Sequence, residues 1–437
     1  MASPIVLQLV RDQPLWTRQP CIKALLTPIM KQRITFACAG IGCPERALAE
    51  KGISFIGKNV IEINPQLKEV LEGFHDPDDV HICDICVFDE QQLCDSEGYV
   101  AGPSCPPWSR GGLRNGVLDE RSGVFEAVLK QIHYLAVDRD CLKWFVIENT
   151  SEIMNRRNGD APFIKTVMKR LRVLRGKGWS IQPHIVQTSD YWLPQERKRV
   201  YIIGMHPLLA QFGGIQLPPV APLGSKPSIS EFLDCNWDMQ LSMANRSPTQ
   251  QNNIAVSSAL LNSSGALHPV SNRSLVIFDA SRNHEAVWRI PLRVDVCPPL
   301  CTSNNPLYIY GPGAPDKVPL EGRGLSVDER ARLCGVVPSS IAHLGKCQRV
   351  KALGNSMPVD TVGVVLAALH HHIALFERKV LYVPRFSVKR TWSQSFDSQS
   401  DEDMEIGMVE SSSEEEASAR SSGLDVVAQW LDSSRDV

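Results

Sequence analysis

Several features that would settle the class of this chain at once are missing. Met1–Val10 has no basic segment followed by a long apolar core, so no secretory leader is expected. No run suits a membrane span. Tyr201–Ser225 is uncharged but holds four prolines and four glycines, and Thr361–Phe376 is only sixteen residues long and contains His370, His371 and His372. The latter reads as a buried helix of a soluble core, with the histidine triplet expected as a solvated patch near its end. Cys83 and Cys86 form one C-x-x-C, but neither a second pair nor a histidine stands at zinc-finger spacing, so no metal site is expected. No internal repeat is visible.

What is present is ordinary globular material. The 437 residues are 43% hydrophobic and 22% charged, which excludes a wholly disordered, collagen-like or coiled-coil chain. The net charge of −2 hides a division. Residues 397–437 hold twelve acids against Arg420 and Arg435, a tail of −10 that leaves +8 on residues 1–396. A basic body suits a polyanion such as nucleic acid, and the acidic tail suits a protein partner. Thirteen cysteines, an odd number spread through apolar stretches, favour a reducing intracellular compartment over a disulfide framework.

From Arg33 to Gly204, short β-rich runs alternate with helical periods. Strands are expected at Ile34–Ala37, Ser54–Ile63, Trp144–Ile147 and Val200–Ile203. Helices are expected at Pro44–Lys51, Pro65–Gly73, Gly123–Val137 and Pro162–Arg175. This βαβ order predicts an α/β fold with a mostly parallel sheet. Residues 205–295 turn rich in Pro, Ser and Asn, with no long helix expected beyond Ser228–Leu233. Helical pattern returns at Val327–Cys334 and Val359–Phe376. The division that follows is an N-terminal extension at 1–30, an α/β domain at 31–204, an insert at 205–295, a return segment at 296–390, and a tail at 391–437 expected to be disordered.

Two motifs carry chemistry. The first βα turn reads F-A-C-A-G-I-G over Phe36–Gly42, and its glycines let backbone approach a nucleotide closely. Glu62, at the end of the second strand, suits a pair of ribose hydroxyls. Glu45, standing where a third glycine would be, disfavours a pyrophosphate. A phosphate-free adenosine cofactor fits better, and S-adenosylmethionine is the obvious one. The second motif, G-P-S-C-P-P-W-S over Gly102–Ser109, holds Cys105 on a turn locked by prolines, the setting of a nucleophile rather than of a core cysteine.

In order along the chain, these segments resemble those of the DNA (cytosine-5)-methyltransferases. The cofactor turn and the cysteine loop are followed by Asp119-Glu120-Arg121, F-V-I-E-N-T around Glu148 and Asn149, and P-Q-E-R-K-R-V around Gln195, Arg197 and Arg199. Leu325–Gly335 and G-N-S-M-P-V over Gly354–Val359 complete the set. The resemblance implies a Rossmann-like methyltransferase domain with a target-recognition insert and double-stranded DNA as partner. In a eukaryote it also implies a nuclear location. Cys105 would add to carbon 6 of a flipped cytosine and Glu148 would hold a proton for ring nitrogen 3. Arg197 would orient the base, with Arg199 helping to build the pocket. S-adenosylmethionine would contact Phe36, Gly40, Gly42, Glu62, Asp84, Pro103 and Asn355.

The chain departs from the family pattern at Ser104 and Pro106 beside the cysteine, at Thr150 after the Glu-Asn pair, and at Trp192 before Pro194-Gln195. None of these removes a reacting group. Two other readings compete. An RNA methylase predicts a Cys-Phe-Thr signature in the insert, which is missing. A non-catalytic regulator predicts damage at the reacting residues, and none is seen. In the insert, Arg246, Arg273, Arg282 and Arg289 are available for base edges or phosphates.

Overall fold

The computed structural model describes residues 31–105, 107–108, 119–156, 161–211, 213–221, 226–234, 246–263, 275–281, 292, 294–302, 307–310 and 323–381. The N-terminal extension, the acidic tail, Pro106, Arg273, Arg282 and Arg289 lie outside these residues. The chain divides into a body, Met1–His372, and a C-terminal unit, Ile373–Val437.

The body is built on β1 (Gln32–Ala37), α1 (Cys43–Glu50), β2 (Phe55–Glu62), α2 (Lys68–Glu72), β3 (Val80–Ile82) and β4 (Gly98–Ala101). These are followed by α3 (Gly123–His133), β5 (Trp144–Thr150), α4 (Phe163–Arg170), α5 (Arg172–Gly176), β6 (Ser180–Gln187) and β7 (Lys198–Met205). The strands form one sheet in the order β3-β2-β1-β4-β5-β7-β6. β1 pairs in parallel with both β2 and β4, so the strand order reverses there. In open α/β sheets that crevice is where ligands bind. β7 runs antiparallel between β5 and β6.

Both faces of the sheet are covered, as a parallel sheet requires. Ala37, Ile61, Tyr99, Ala101, Phe145, Ile147, Val200 and Ile202 point to one side, where they join the buried faces of α3, α4 and α5. Their strand neighbours Phe36, Val60, Val100, Trp144, Val146 and Tyr201 are buried on the other side. The period of two in β1, β2, β4, β5 and β7 is therefore complete. Trp144 reaches the return segment, its ring 6.0 Å from that of His370, and donates from Nε1 to Gln32 Oε1 at 2.9 Å.

Beyond β7 come α6 (Pro207–Ala210), α7 (Pro248–Ser263), β8 (Val276–Asp279), β9 (Leu307–Tyr310) and β10 (Arg323–Gly324), then α8 (Val327–Leu333), α9 (Lys346–Asn355) and α10 (Val359–Leu381). β10-β9-β8 form a small antiparallel sheet around Ile254, Val276, Phe278, Ala280 and Tyr308. This corrects three expectations. Residues 205–295 do contain a long helix. The apolar residues of α7 do not gather on one face, so periodicity hides it, although Ser247 and Gln250 exchange hydrogen bonds at its start, beside Pro248. The small sheet also runs past residue 295, because β9 and β10 are too short to read as strands. His370 and His372 are buried within α10, with His372 Nε2 2.9 Å from Leu209 O. Only His371 is exposed, so the triplet is not a solvated patch.

The fit between β4 and β5 has no slack. A Cβ on Gly98 would sit 2.2 Å from Trp144 Cζ2. Gly98→Ala should therefore overpack the sheet and lower stability by about 1–3 kcal/mol, read as the urea midpoint. An unchanged midpoint would refute the tight fit.

Candidate active site

Five parallel strands end at one edge of the sheet, and the reversal of β7 brings its first residues to the same edge. The register pairs Glu148 with Tyr201 and Thr150 with Arg199, so the ends of β5 and the start of β7 are neighbours.

The cofactor turn leaves β1 in left-handed conformations. Cys38, Gly40 and Gly42 have φ of 55°, 60° and 70°. Nothing lies within 4 Å of where a Gly40 Cβ would point, so backbone there faces open space. Glu62 sits opposite, nearly buried, taking the Gly40 N–H on Oε2 at 2.8 Å and the Asn64 N–H on Oε1 at 2.9 Å. Burial raises its pKa above the ordinary 4.5, opposed by the backbone donors of Asn64, Gly40 and Ile63. Asp84 follows β3, is half-buried, and takes the Cys86 N–H on Oδ1 at 2.9 Å.

Two details of the turn differ from the sequence reading. Phe36 points into the core, its ring against Phe55 and His75, while Cys38 faces the carboxylates. Burial, and then Glu62, Cys86 and Asp84, push the Cys38 thiol pKa up. Glu45 does not face the turn either. Its carboxylate is buried 3.1 Å from His75 Nε2 and not in the open space beside Gly40, so it does not guard that space against a phosphate. Arg46, also buried, donates to Ile41 O at 3.2 Å and lies over the Phe74 ring.

The nucleophile loop is tied to β5. Asn149 Nδ2 donates to Pro103 O at 3.0 Å, and the Trp108 N–H closes a turn onto Cys105 O at 3.0 Å. Trp108 stacks on Phe163 with centroids 4.2 Å apart. Cys105 is half-buried and within electrostatic range of the Arg121 and Arg197 guanidiniums, and Arg121 is braced by Asp119. A Cβ on Gly102 would sit 2.7 Å from Met357 Cε and 3.9 Å from Glu148 Oε2, so glycine keeps this corner open.

The two arginines divide the work differently from the expectation. Arg199 Nε lies 2.9 Å from Glu148 Oε1, making Arg199 the one that faces the carboxylate. Arg197 is 2% exposed and turned inward. It donates from Nη1 to Leu300 O at 3.1 Å, from both terminal nitrogens to Gly354 O at 3.2 Å, and from Nη2 to Ser356 O at 2.6 Å. It therefore holds the return loop in place. Gly354 must be glycine, because a Cβ would lie 2.4 Å from the backbone of Cys301 and Thr302. Asn355, at the end of α9, is exposed. Arg246, in the insert, lies over the Tyr308 ring at 5.1 Å and does not reach this edge among the described contacts.

A doubly wound α/β domain thus brings a glycine turn, strand-end carboxylates and a cysteine loop to one edge of its sheet. Residues 35–371 match the family model for C-5 cytosine-specific DNA methylase, and the chain belongs to that family. Its members use S-adenosylmethionine as methyl donor. The chain is 30% identical over 159 residues to the type II methyltransferase M.NgoPII of Neisseria gonorrhoeae, covering 36% of this chain and 42% of that protein. It is 28% identical over 124 residues to M.BsuFI of Bacillus subtilis, covering 28% of each. The matched stretches thus span less than half of these relatives. In fold it is similar to a Spodoptera frugiperda DNMT2 mutant, with a TM-score of 0.54 and 14% identity over 78% of this chain and 100% of that one. It is also similar to the Entamoeba histolytica methyltransferase EhMeth, with a TM-score of 0.52 and 16% identity over 79% and 99%.

Two outcomes follow from the geometry. Arg197→Lys cannot serve three carbonyls with a fork, and stability should fall by about 2–4 kcal/mol in urea unfolding; equal midpoints would contradict the clamp. Because burial raises the pKa of Glu62, acidification protonates it earlier than an ordinary carboxylate and weakens it as an acceptor. S-adenosylmethionine affinity by calorimetry should fall as pH drops from 7.5 to 5, and Glu62→Gln should flatten that profile. A wild-type profile already flat over this range would remove Glu62 as the titrating acceptor.

Proposed function

We propose that the chain methylates carbon 5 of cytosine in double-stranded DNA through a covalent adduct at Cys105. The observation that carries this reading is the Asn149–Pro103 hydrogen bond. It sets the cysteine loop directly above the strand end bearing Glu148. The residues fit the methyl donor: Glu62 and Asp84 offer acceptors to ribose hydroxyls and the adenine amino group, and the Gly40 backbone leaves room for them. Bound there, S-adenosylmethionine supplies an electrophilic methyl group.

The reacting carbon is not nucleophilic until something adds to carbon 6. Cys105, as thiolate, forms that bond while Glu148 gives a proton to ring nitrogen 3, which keeps the ring neutral. Arg199 holds Glu148 Oε1, leaving Oε2 on the Gly102 side for the base. After carbon 5 is methylated it loses its proton to water. Cys105 then leaves as thiolate, and the nitrogen proton returns to Glu148. A stacked base is out of reach, so the target swings out of the duplex at a cost of about a few kcal/mol. In a eukaryotic source this substrate places the protein in the nucleus.

Cys105→Ser should abolish methyl transfer to duplex DNA yet bind S-adenosylmethionine normally. A duplex carrying 5-fluorocytosine should trap a denaturation-resistant adduct on the wild type and none on the variant. Near-normal turnover by the variant would sink the covalent mechanism, and methylation of transfer RNA in place of DNA would sink the substrate assignment.

A further inference from the structure

α4 and α5 form an almost continuous amphipathic rod. The Leu171 N–H donates to Val167 O at 3.0 Å, and the Arg175 N–H to Leu171 O at 3.2 Å, across their junction. Ile164, Val167, Leu171 and Leu174 are buried against the sheet. The outer face carries Lys165, Lys169 and Arg172 at i, i+4 and i+7, with Arg175 and Lys177 beyond, and all five are exposed. No Asp or Glu occurs anywhere in residues 161–187. Arg170 pairs with Glu126 of α3 at 3.2 Å, while the other five cations form no ion pair with a described residue.

A merely solvated face would mix both signs. The helix dipole accounts for Lys169, Arg170 and Arg175, which lie in last turns. It does not account for Lys165, the third residue of α4, where the positive helix end disfavours a cation. Lys165 and Lys169 also repel each other at i, i+4. Local stability thus argues against this face, and a polyanion would offset it. The rod spans about 20 Å at 1.5 Å per residue, the length of about six base pairs. It is reached from β5, the strand of Glu148, through 151–154 and the exposed Arg156.

We propose that the outer face of α4 and α5 is a second contact surface for the DNA phosphate backbone, outside the active-site edge. This rests on the reading that the chain acts on duplex DNA. The face contributes affinity and salt dependence without entering the chemistry, because phosphate contacts position the duplex and do not read it.

The test uses the full chain with Lys165→Gln, Lys169→Gln, Arg172→Gln, Arg175→Gln and Lys177→Gln combined, with melting temperature and S-adenosylmethionine affinity as folding controls. Titration of a labelled 20-base-pair duplex at several salt concentrations should show affinity lower by roughly tenfold or more near 100 mM salt. The log–log salt slope should become shallower by about two to four, at 0.9 per phosphate contact. Single-turnover rate at saturating DNA should stay unchanged. Equal affinity and slope would overturn the surface while leaving the proposed function standing. A wild type that binds no duplex would overturn both. Weakening seen only with RNA, or a lost rate with unchanged binding, would also overturn it. A second measurement needs no variant: saturating duplex should shield Lys165 and Lys169 of the wild type from acetylation while Lys68 on α2 stays reactive, and equal labelling with and without DNA would refute the contact.

Discussion

A guanidinium removed from water must find its acceptors in the protein, and Arg197 finds three carbonyls in segments 103 to 159 residues away in sequence. Burying an ion costs several kcal/mol even after relaxation. Charged hydrogen bonds contribute about 1.5–3 kcal/mol each, and Arg197 makes four of them, its Nε alone finding no partner among the described residues. Burial lowers the pKa of Arg197, Arg199 adds to that, and Glu148 opposes it. The consequence is architectural. The return segment is held where Met357 meets Gly102 and where Gly354 admits the Cys301–Thr302 backbone.

Arg199 lies in β7 and Arg197 just before it, and the reversed direction of that strand explains their separate tasks. Arg199 is the last residue paired with β5, and Arg197 stands two residues further out, before the strand begins. With Thr150 opposite Arg199, it is Arg199 that lies within reach of Glu148, and Arg197 lies beyond the end of β5, under the return loop. A parallel β7 would have placed both at the far edge of the sheet. Further bonds secure this start of β7: the Glu196 N–H donates to Cys297 O, and the Cys297 N–H to Pro194 O, each at 2.7 Å. This edge of the sheet is thus closed by chain that lies near it only in the folded state.

The alternating core was legible because a sheet buried on both faces leaves apolar runs such as Trp144–Ile147 between helical periods. β6 was not, since this edge strand exposes Gln182, Pro183 and Ile185 and so shows no period of two. α7 escaped for the related reason that a helix without an apolar face has no period of 3.6. Residues whose place local chemistry decides stand where the sequence predicts, Cys105 in a loop between prolines and Glu62 at its strand end. What sequence could not assign was direction. Whether Phe36 or Cys38 faces the turn, and which arginine meets Glu148, depends on register and on left-handed backbone that no residue type declares.

The carboxylate of Glu62 is fixed by the backbone around it. A buried carboxylate standing alone would be driven to neutrality by desolvation. Here backbone donors from two segments, Asn64 and Ile63 on one side and Gly40 on the other, hold it and lower part of that cost. The same bonds fix the glycine turn against the end of β2, so the acceptor and the cradle are one structure. Arg46 on Ile41 O braces the turn from beneath, and Gly42 sits against Phe74 where a Cβ would come within 3.2 Å of the ring. Because the turn is supported from the core side, the Gly40 backbone can face open space in a fixed orientation.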